Sequence, residues 1–215
     1  MKLVIAIDGP AGAGKSTVAK KVAKLLGMFY LDTGAMYRAF THYVIAKKAD
    51  LDNKSEIKKL LEGFELSISQ DNVRANGKDI TKEIRWENVT TNVSYISSID
   101  FVRNKMVELQ REIGKNKDIV VEGRDIGTVV FPDTRYKFYL DADVVERAKR
   151  RLKDKKNEEK KVSMLAMKEK IQKRDQYDST RDNSPLKQAN DAVLIDSTHM
   201  TIDEVCKYII NKVKG

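Results

Sequence analysis

Leu3 to Ile7 is a continuous apolar run ending at Asp8. Without alternation it predicts a strand covered on both faces, as in the middle of a parallel sheet. After Lys15 the period changes: Val18, Ala19, Val22, Ala23, Leu25 and Leu26 recur at three- and four-residue spacing, and Gly27 follows where a C-terminal cap would stand. The opening unit is therefore strand, glycine turn, helix. Short apolar runs return at Ile119–Val121, Lys137–Leu140 and Ala192–Ile195, separated by helical stretches. Together they predict an α/β protein whose parallel sheet carries helices on both faces.

Two segments break that rhythm. Between Leu66 and Ile84 apolar and polar residues alternate around Asp71-Asn72, with a further turn at Asn76-Gly77, which predicts a small antiparallel β ribbon inserted in the framework. Arg147 to Lys161 is dense with charge of both signs, whereas Ile202, Val205, Cys206, Ile209 and Val213 mark an amphipathic closing helix.

A chain of 215 residues suffices for one substantial core, so one domain with appendages is expected. Lysine plus arginine number 41 against 32 acidic residues, a net charge of +9 that implies an anionic partner without choosing among nucleic acid, membrane and small phosphorylated molecules. The one cysteine, Cys206, excludes an intramolecular disulfide, and His42 and His199 stand far apart, which argues against a zinc cluster. A reducing compartment follows. The first apolar run is too short for a signal segment or a membrane span, so a cytoplasmic protein with no membrane partner is expected.

The turn itself, "IDGPAGAGKST", satisfies G-x-x-x-x-G-K-[ST] through Gly9, Gly14, Lys15 and Ser16, with a strand before and a helix after. Glycines let successive backbone N–H groups point into a concave nest, and a helix N-terminus adds positive potential. The stretch Gly9, Pro10, Ala11, Gly12, Ala13, Gly14, Lys15, Ser16 and Thr17 is thus expected to hold a nucleoside triphosphate. Lys15 would reach the β- and γ-phosphates and the Ser16 hydroxyl would ligate Mg²⁺, whose other ligands come from water and phosphate. A GTPase is disfavoured because Asn116-Lys117-Asp118 has the wrong spacing for a guanine reader and precedes a strand. Glu122, after an apolar strand, resembles the acidic residue of a motor ATPase, but the small chain is rich in arginine where a phosphorylated acceptor would need it.

Transfer between two anions calls for cations holding both in line. Arg38 in "LDTGAMYR" and Arg124 in "VVEGRDIGT" follow strand ends, where ligands of open α/β sheets bind, and Arg174 and Arg181 flank Asp178 in "KRDQYDSTRDNSPL".

The blocks "IDGPAGAGKST", "LDTGAMYR", "VVEGRDIGTVVFPD", "RDQYDSTR" with "SPL", and "DAVLIDST" stand in the order and spacing of bacterial cytidylate kinases, and the resemblance spans nearly the whole chain. It implies a single P-loop kinase domain over residues 1–215, with a monophosphate-binding insert near 36–100 and a lid near 147–173. The implied reaction transfers the γ-phosphoryl group of ATP, with Mg²⁺, to CMP or dCMP; the expected protein is a monomer with no nucleic-acid partner. By position, Thr33, Arg103, Asp125 and Arg181 resemble the cytosine-reading group, Ser94, Arg174 and Asp178 the sugar contacts, and Arg38 with Arg124 the acceptor-phosphate clamp. Lys15, Arg38, Arg124 and Arg181 would stabilise transferred charge. In the lid, Arg150 or Arg151 would meet ATP, although the glycine usual there is absent and extra lysines and glutamates fill the space.

A carboxylate such as Asp125 with an arginine such as Arg103 prefers the amino group of cytosine to the O4 of uracil, which predicts weak UMP use. Alternatives are another acceptor, UMP, AMP or shikimate, or an RNA-binding NTPase motivated by the basic lid; no RNA-binding aromatic motif supports the last. Trp86 is expected in or beside a core and Cys206 within one. Asp8 and Asp32 would either support the metal's water shell or cap the strand ends.

Overall fold

A computed structural model describes residues 2–154 and 162–215. Along the chain run β1 (Val4–Asp8), α1 (Lys15–Leu26), β2 (Phe29–Asp32), α2 (Thr33–Ala46), α3 (Lys54–Glu62), β3 (Leu66–Ile68), β4 (Val73–Ala75), β5 (Lys78–Asp79), α4 (Glu87–Ser98), α5 (Asp100–Lys115), β6 (Ile119–Gly123), β7 (Tyr136–Asp141), α6 (Val144–Asp154), α7 (Met164–Thr180), β8 (Val193–Asp196) and α8 (Ile202–Lys214). They form two compact units, one running to Leu31 and resuming at Gly114, the other spanning Asp32–Ile113. Residues 155–161 of the expected lid lie outside the described residues.

The first unit is built on a five-stranded sheet in the order β2-β6-β1-β7-β8. β1 pairs in parallel with β6 on one side and β7 on the other, and β8 runs parallel to β7. The unalternating apolar runs explain this order, because the central strands are buried on both faces: Ile5, Ala6, Ile7, Val120 and Val121 are wholly excluded from solvent. Helices α1 and α8 supply Val18, Ala19, Val22, Val205, Cys206 and Ile209 to one continuous apolar cluster with Ile5, Ile7 and Phe138. Cys206 is therefore a core residue. Gly27 ends α1 in the left-handed conformation, as its position predicted. Helix α8 opens with a capping box, Thr201 and Glu204 each satisfying the other's backbone N–H.

In the second unit, β3, β4 and β5 make the antiparallel ribbon that alternation predicted, and Asn76-Gly77 turns between β4 and β5 with positive φ at both residues. Its core gathers Phe40, Val44, Ile57, Ile84 and Ile96, with Phe64 edge-on to Phe40 at 5.1 Å between ring centroids. The expectation for Trp86 is corrected: it is 54% exposed, and its ring meets that of His42 edge-on at 5.8 Å. It stands immediately before α4, outside the apolar stripe that Val89, Val93 and Ile96 define.

Candidate active site

The glycine turn leaves β1 under tight steric control. Gly9 has φ of +147°, and a Cβ there would lie 2.0 Å from the carbonyl oxygen of Leu140, so only glycine lets β1 hand over to the loop beside β7. Gly12, with φ of +78°, faces the backbone of Arg147, whose carbonyl oxygen would be 3.0 Å from an added Cβ. The chain then enters α1 at Lys15, leaving the N–H groups of the first helical turn without intrahelical acceptors. Those donors and the helix dipole make this end attractive to phosphate. Ser16 and Thr17 are exposed there.

Lys15 is buried, and its Nζ donates to the carbonyl of Pro10 at 2.7 Å. Burial, with the nearby positive charge of Arg124, pushes its ammonium down to about 7; Glu122 and Asp175 act in the opposite sense. Glu122 is itself held by the Tyr30 hydroxyl, which donates to Oε1 at 2.6 Å.

The loop is also fastened by Asp175 and Arg147, which pattern reading did not single out, and bordered by Arg150, which it did. Asp175 Oδ1 accepts the Ala11 N–H at 2.9 Å, and Arg147 Nη1 donates to the Ala11 carbonyl at 2.9 Å. Arg150 Nη1 lies 3.4 Å from the Ala13 carbonyl oxygen and 3.0 Å from Ser197 Oγ, while its Nε pairs with Glu146 one helical turn away at 3.1 Å. Arg147 opens the charge-dense stretch assigned to the lid, where an exposed side chain would be ordinary. Instead it is buried, because α6 packs on α7 through Ala148, Met167 and Ile171 and so presses its backbone on the loop. Asp175 lay within a quoted block, but its partner is 164 positions away and no periodicity links them.

Close to β6 the same unit gathers three guanidiniums around one carboxylate. Arg124 Nε donates to Asp178 Oδ2 at 3.0 Å, Arg174 Nε stands 3.9 Å from that oxygen, and Arg181 Nη1 is 3.9 Å from Asp178 Oδ1. Arg181 Nη2 also approaches Asp125 Oδ1 at 3.8 Å, and its Nε donates to the Ser184 carbonyl at 2.7 Å. Asp178 receives the Leu186 N–H on its backbone carbonyl, which folds the "SPL" segment back on α7. Burial works against the charge of Arg124, but Asp178 and Asp175 more than offset it and hold the guanidinium above its ordinary range.

Asp125 precedes one turn of π-helix, Ile126–Val130, a feature that often marks functional sites. The first two N–H groups of that turn donate to Asp8, Ile126 to Oδ1 at 2.9 Å and Gly127 to Oδ2 at 2.8 Å. Asp8 thus caps that turn from the end of β1. Burial nevertheless raises its carboxyl to about 7, with these hydrogen bonds opposing and Asp125 adding to the rise.

The second unit carries the other four candidates. Thr33, buried, is the first residue of α2. Arg38 lies inside that helix, and its Nη2 donates to Asp32 Oδ2 at 2.8 Å; Asp32 also accepts the Ala35 N–H, so this carboxylate is a helix cap with an ion pair. Arg103 is buried in α5, donates from Nη1 to the Ser97 carbonyl at 3.1 Å and stacks over Tyr37 at 5.4 Å. Ser94 is half-buried in α4.

Among the described residues no group of three His, Cys, Asp or Glu is placed to hold a metal ion by itself. One exposed hydroxyl, that of Ser16 at the helix start, fits a Mg²⁺ ion that takes most of its oxygens from phosphate and water. No described helix is long and apolar enough to cross a membrane.

A sequence profile described as cytidylate kinase matches residues 5–215. The chain is 49% identical over 214 residues to a cytidylate kinase of Shouchella clausii, covering 98% of this chain and 95% of that one. It is 46% identical over 211 residues to a cytidylate kinase of Acholeplasma laidlawii, again covering 98% and 95%. Among solved structures, an uncharacterized protein from Eubacterium ventriosum shares the fold at a TM-score of 0.56 and 13% identity, with 100% of this chain and 99% of that one covered.

Proposed function

The chain belongs to the cytidylate kinase family, and we propose that its residues carry out Mg²⁺-assisted transfer of the γ-phosphoryl group of ATP to CMP or dCMP, giving ADP and CDP or dCDP. The observation that carries the reading is the gathering of Arg124, Arg174 and Arg181 on Asp178 within the unit that also holds the glycine loop and Lys15.

A phosphate oxygen of the acceptor attacks the γ-phosphorus while the bond to the β–γ bridging oxygen breaks. The acceptor phosphate is already ionised, so no general base is required, and the protein's part is positioning and charge stabilisation. Amides of the glycine loop and of the first turn of α1 would hold the donor phosphates, Lys15 would leave the Pro10 carbonyl for the β- and γ-oxygens, and Arg150 borders the same loop at Ala13. Bound Mg²⁺, ligated by Ser16, would neutralise charge on the donor phosphates. Arg38 and Arg124 are assigned to the acceptor phosphate, with Arg181 stabilising transferred charge. Ser94, Arg174 and Asp178 are assigned to the sugar. Thr33, Arg103, Asp125 and Arg181 are assigned to cytosine; the Asp125 carboxylate would accept from the cytosine amino group and repel the O4 of uracil.

UMP, AMP and shikimate as preferred acceptors, and an RNA-binding NTPase, are disfavoured by the family membership. A single buried thiol, Cys206, suits a reducing cytoplasm, and we propose a monomer. The test is ADP release at fixed ATP and Mg²⁺ with CMP, dCMP, UMP, AMP and shikimate in turn. CMP or dCMP should give the highest kcat/KM; AMP or shikimate ahead of both would overturn the base assignment.

A further inference from the structure

Ala11 is held from both sides of its residue. Its N–H donates to Asp175 Oδ1 and its carbonyl accepts from Arg147 Nη1, each at 2.9 Å, and that same Nη1 pairs with Asp175 Oδ2. The three contacts close a ring of main chain, carboxylate and guanidinium. Arg147 Nε donates to the Ala142 carbonyl at 2.9 Å, which fixes the plane of the guanidinium and anchors it to the segment between β7 and α6. Both side chains are largely withdrawn from water, 10% and 16% exposed. Losing Arg147 would leave the Asp175 charge largely buried without this pairing, and losing Asp175 would leave Arg147 only the more distant Asp141, at 4.0 Å.

Sequence alone places the two residues 28 positions apart, and packing brings them together. Helix α6 delivers Arg147 and helix α7 delivers Asp175, joined through Ala148, Met167 and Ile171. The Arg147 backbone also fills the space a side chain at Gly12 would need. The loop that would cradle the donor phosphates is therefore pressed at Gly12 and tied at Ala11, and neither tie belongs to the loop's own motif. Asp175 adds negative charge near Lys15, which favours its ammonium against the burial that lowers it.

We propose that Asp175 and Arg147 are positioning residues for ATP: together they hold the main chain of the Gly9–Gly14 loop in the shape its amides need to receive phosphate. The proposal rests on the reading of that loop as the ATP site. A loop displaced by a fraction of an ångström misdirects several donors at once, so the effect falls on ATP and not on the acceptor.

The test combines calorimetric titration of the free protein with ATP and Mg²⁺ and steady-state kinetics against ATP and against CMP. Asp175→Ala and Arg147→Ala are each expected to weaken ATP binding about tenfold and to raise KM for ATP in parallel, with KM for CMP moving less than about twofold. Because the two side chains act as one bracket, the double variant should bind ATP no more weakly than the weaker single variant. Asp175→Asn, which keeps an oxygen for the Ala11 N–H, should recover part of the loss, as should Arg147→Lys. Should either alanine variant fail to fold, these two conservative variants carry the same comparison between the two substrates.

Wild-type protein that does not bind ATP would sink the reading of the loop and the bracket with it. Wild-type binding with ATP constants unchanged in the folded variants would overturn the bracket alone, and so would single losses that multiply in the double variant or equal shifts in both KM values.

Discussion

Arg124 Nε donates to Asp178 Oδ2 at 3.0 Å, so a buried carboxylate aims the guanidinium that immediately follows the end of β6. Two further arginines, Arg174 and Arg181, stand at 3.9 Å from the same carboxylate, and one acid therefore organises three cations. On the role proposed for Arg124, stabilising transferring charge, Arg124→Ala should lower kcat about a hundredfold or more with saturating CMP and ATP. Arg124→Lys keeps a charge but not the fork that meets Asp178, and should recover only part. A kcat within about threefold of wild type in the alanine variant would remove Arg124 from the charge-stabilising set.

Asp125 tests base choice. It is buried, and its Oδ1 lies 3.8 Å from Arg181 Nη2. Asp125→Asn offers an amide that can donate to the O4 of uracil, so the ratio of kcat/KM for CMP to that for UMP should fall by about tenfold or more. Equal discrimination in variant and wild type would clear Asp125 of the role.

Much of this arrangement is legible in the chain, and the remainder has a common physical reason for being hidden. The sheet follows from unalternating apolar runs, α1 from its three- and four-residue spacing and its glycine cap, and the glycine loop from spacing that backbone sterics impose. Arg150 paired with Glu146 is an ordinary i,i+4 relation. By contrast, Ala11 meets Arg147 and Asp175 across 136 and 164 positions, and Asp8 meets Ile126 across 118. Such contacts have no period, because they depend on which helix faces lie against the loop. Arg147 sits in a run of charge that reads as solvated until α7 is seen packed on α6. Trp86 shows the converse: hydrophobicity alone favours a core, but its position just before α4 leaves the ring outside.

The two glycines that bound the first strand–helix unit should respond differently to a methyl group. Gly9→Ala combines a left-handed φ of +147° with a Cβ 2.0 Å from a backbone oxygen that cannot move without disturbing β7. It should cost on the order of 3 kcal/mol or more. Gly27→Ala also requires a positive φ, +67°, but meets no atom within 4 Å, and should cost about 1–2 kcal/mol. Urea unfolding midpoints of the two variants decide it; similar losses would show that the approach of β1 to Leu140 is not the controlling contact.

Asp8 gives the fold a pH dependence whose sign can be stated. Its carboxyl rises from an ordinary 3.8 to about 7, chiefly because burial disfavours the charge, while the Ile126 and Gly127 N–H groups pull the other way and Asp125 and Lys15 act on it from nearby. Between pH 3.8 and about 7 the folded protein therefore holds a proton that the unfolded chain releases. Stability from this group is fully present below 3.8 and is lost as the pH rises through about 7. Asp8→Asn cannot titrate, and it leaves one of the two N–H groups without its carboxylate oxygen at every pH. The variant should be less stable than wild type by a margin that is widest near pH 5 and shrinks by a few kcal/mol toward pH 8, because wild type alone surrenders stability over that interval. Urea unfolding of both proteins at pH 5, 6, 7 and 8 measures the margin directly, and contributions from groups common to both largely cancel. A margin that stayed flat or widened with pH would mean that the Asp8 carboxyl is already ionised at pH 5, and that its hydrogen bonds to Ile126 and Gly127 outweigh its burial.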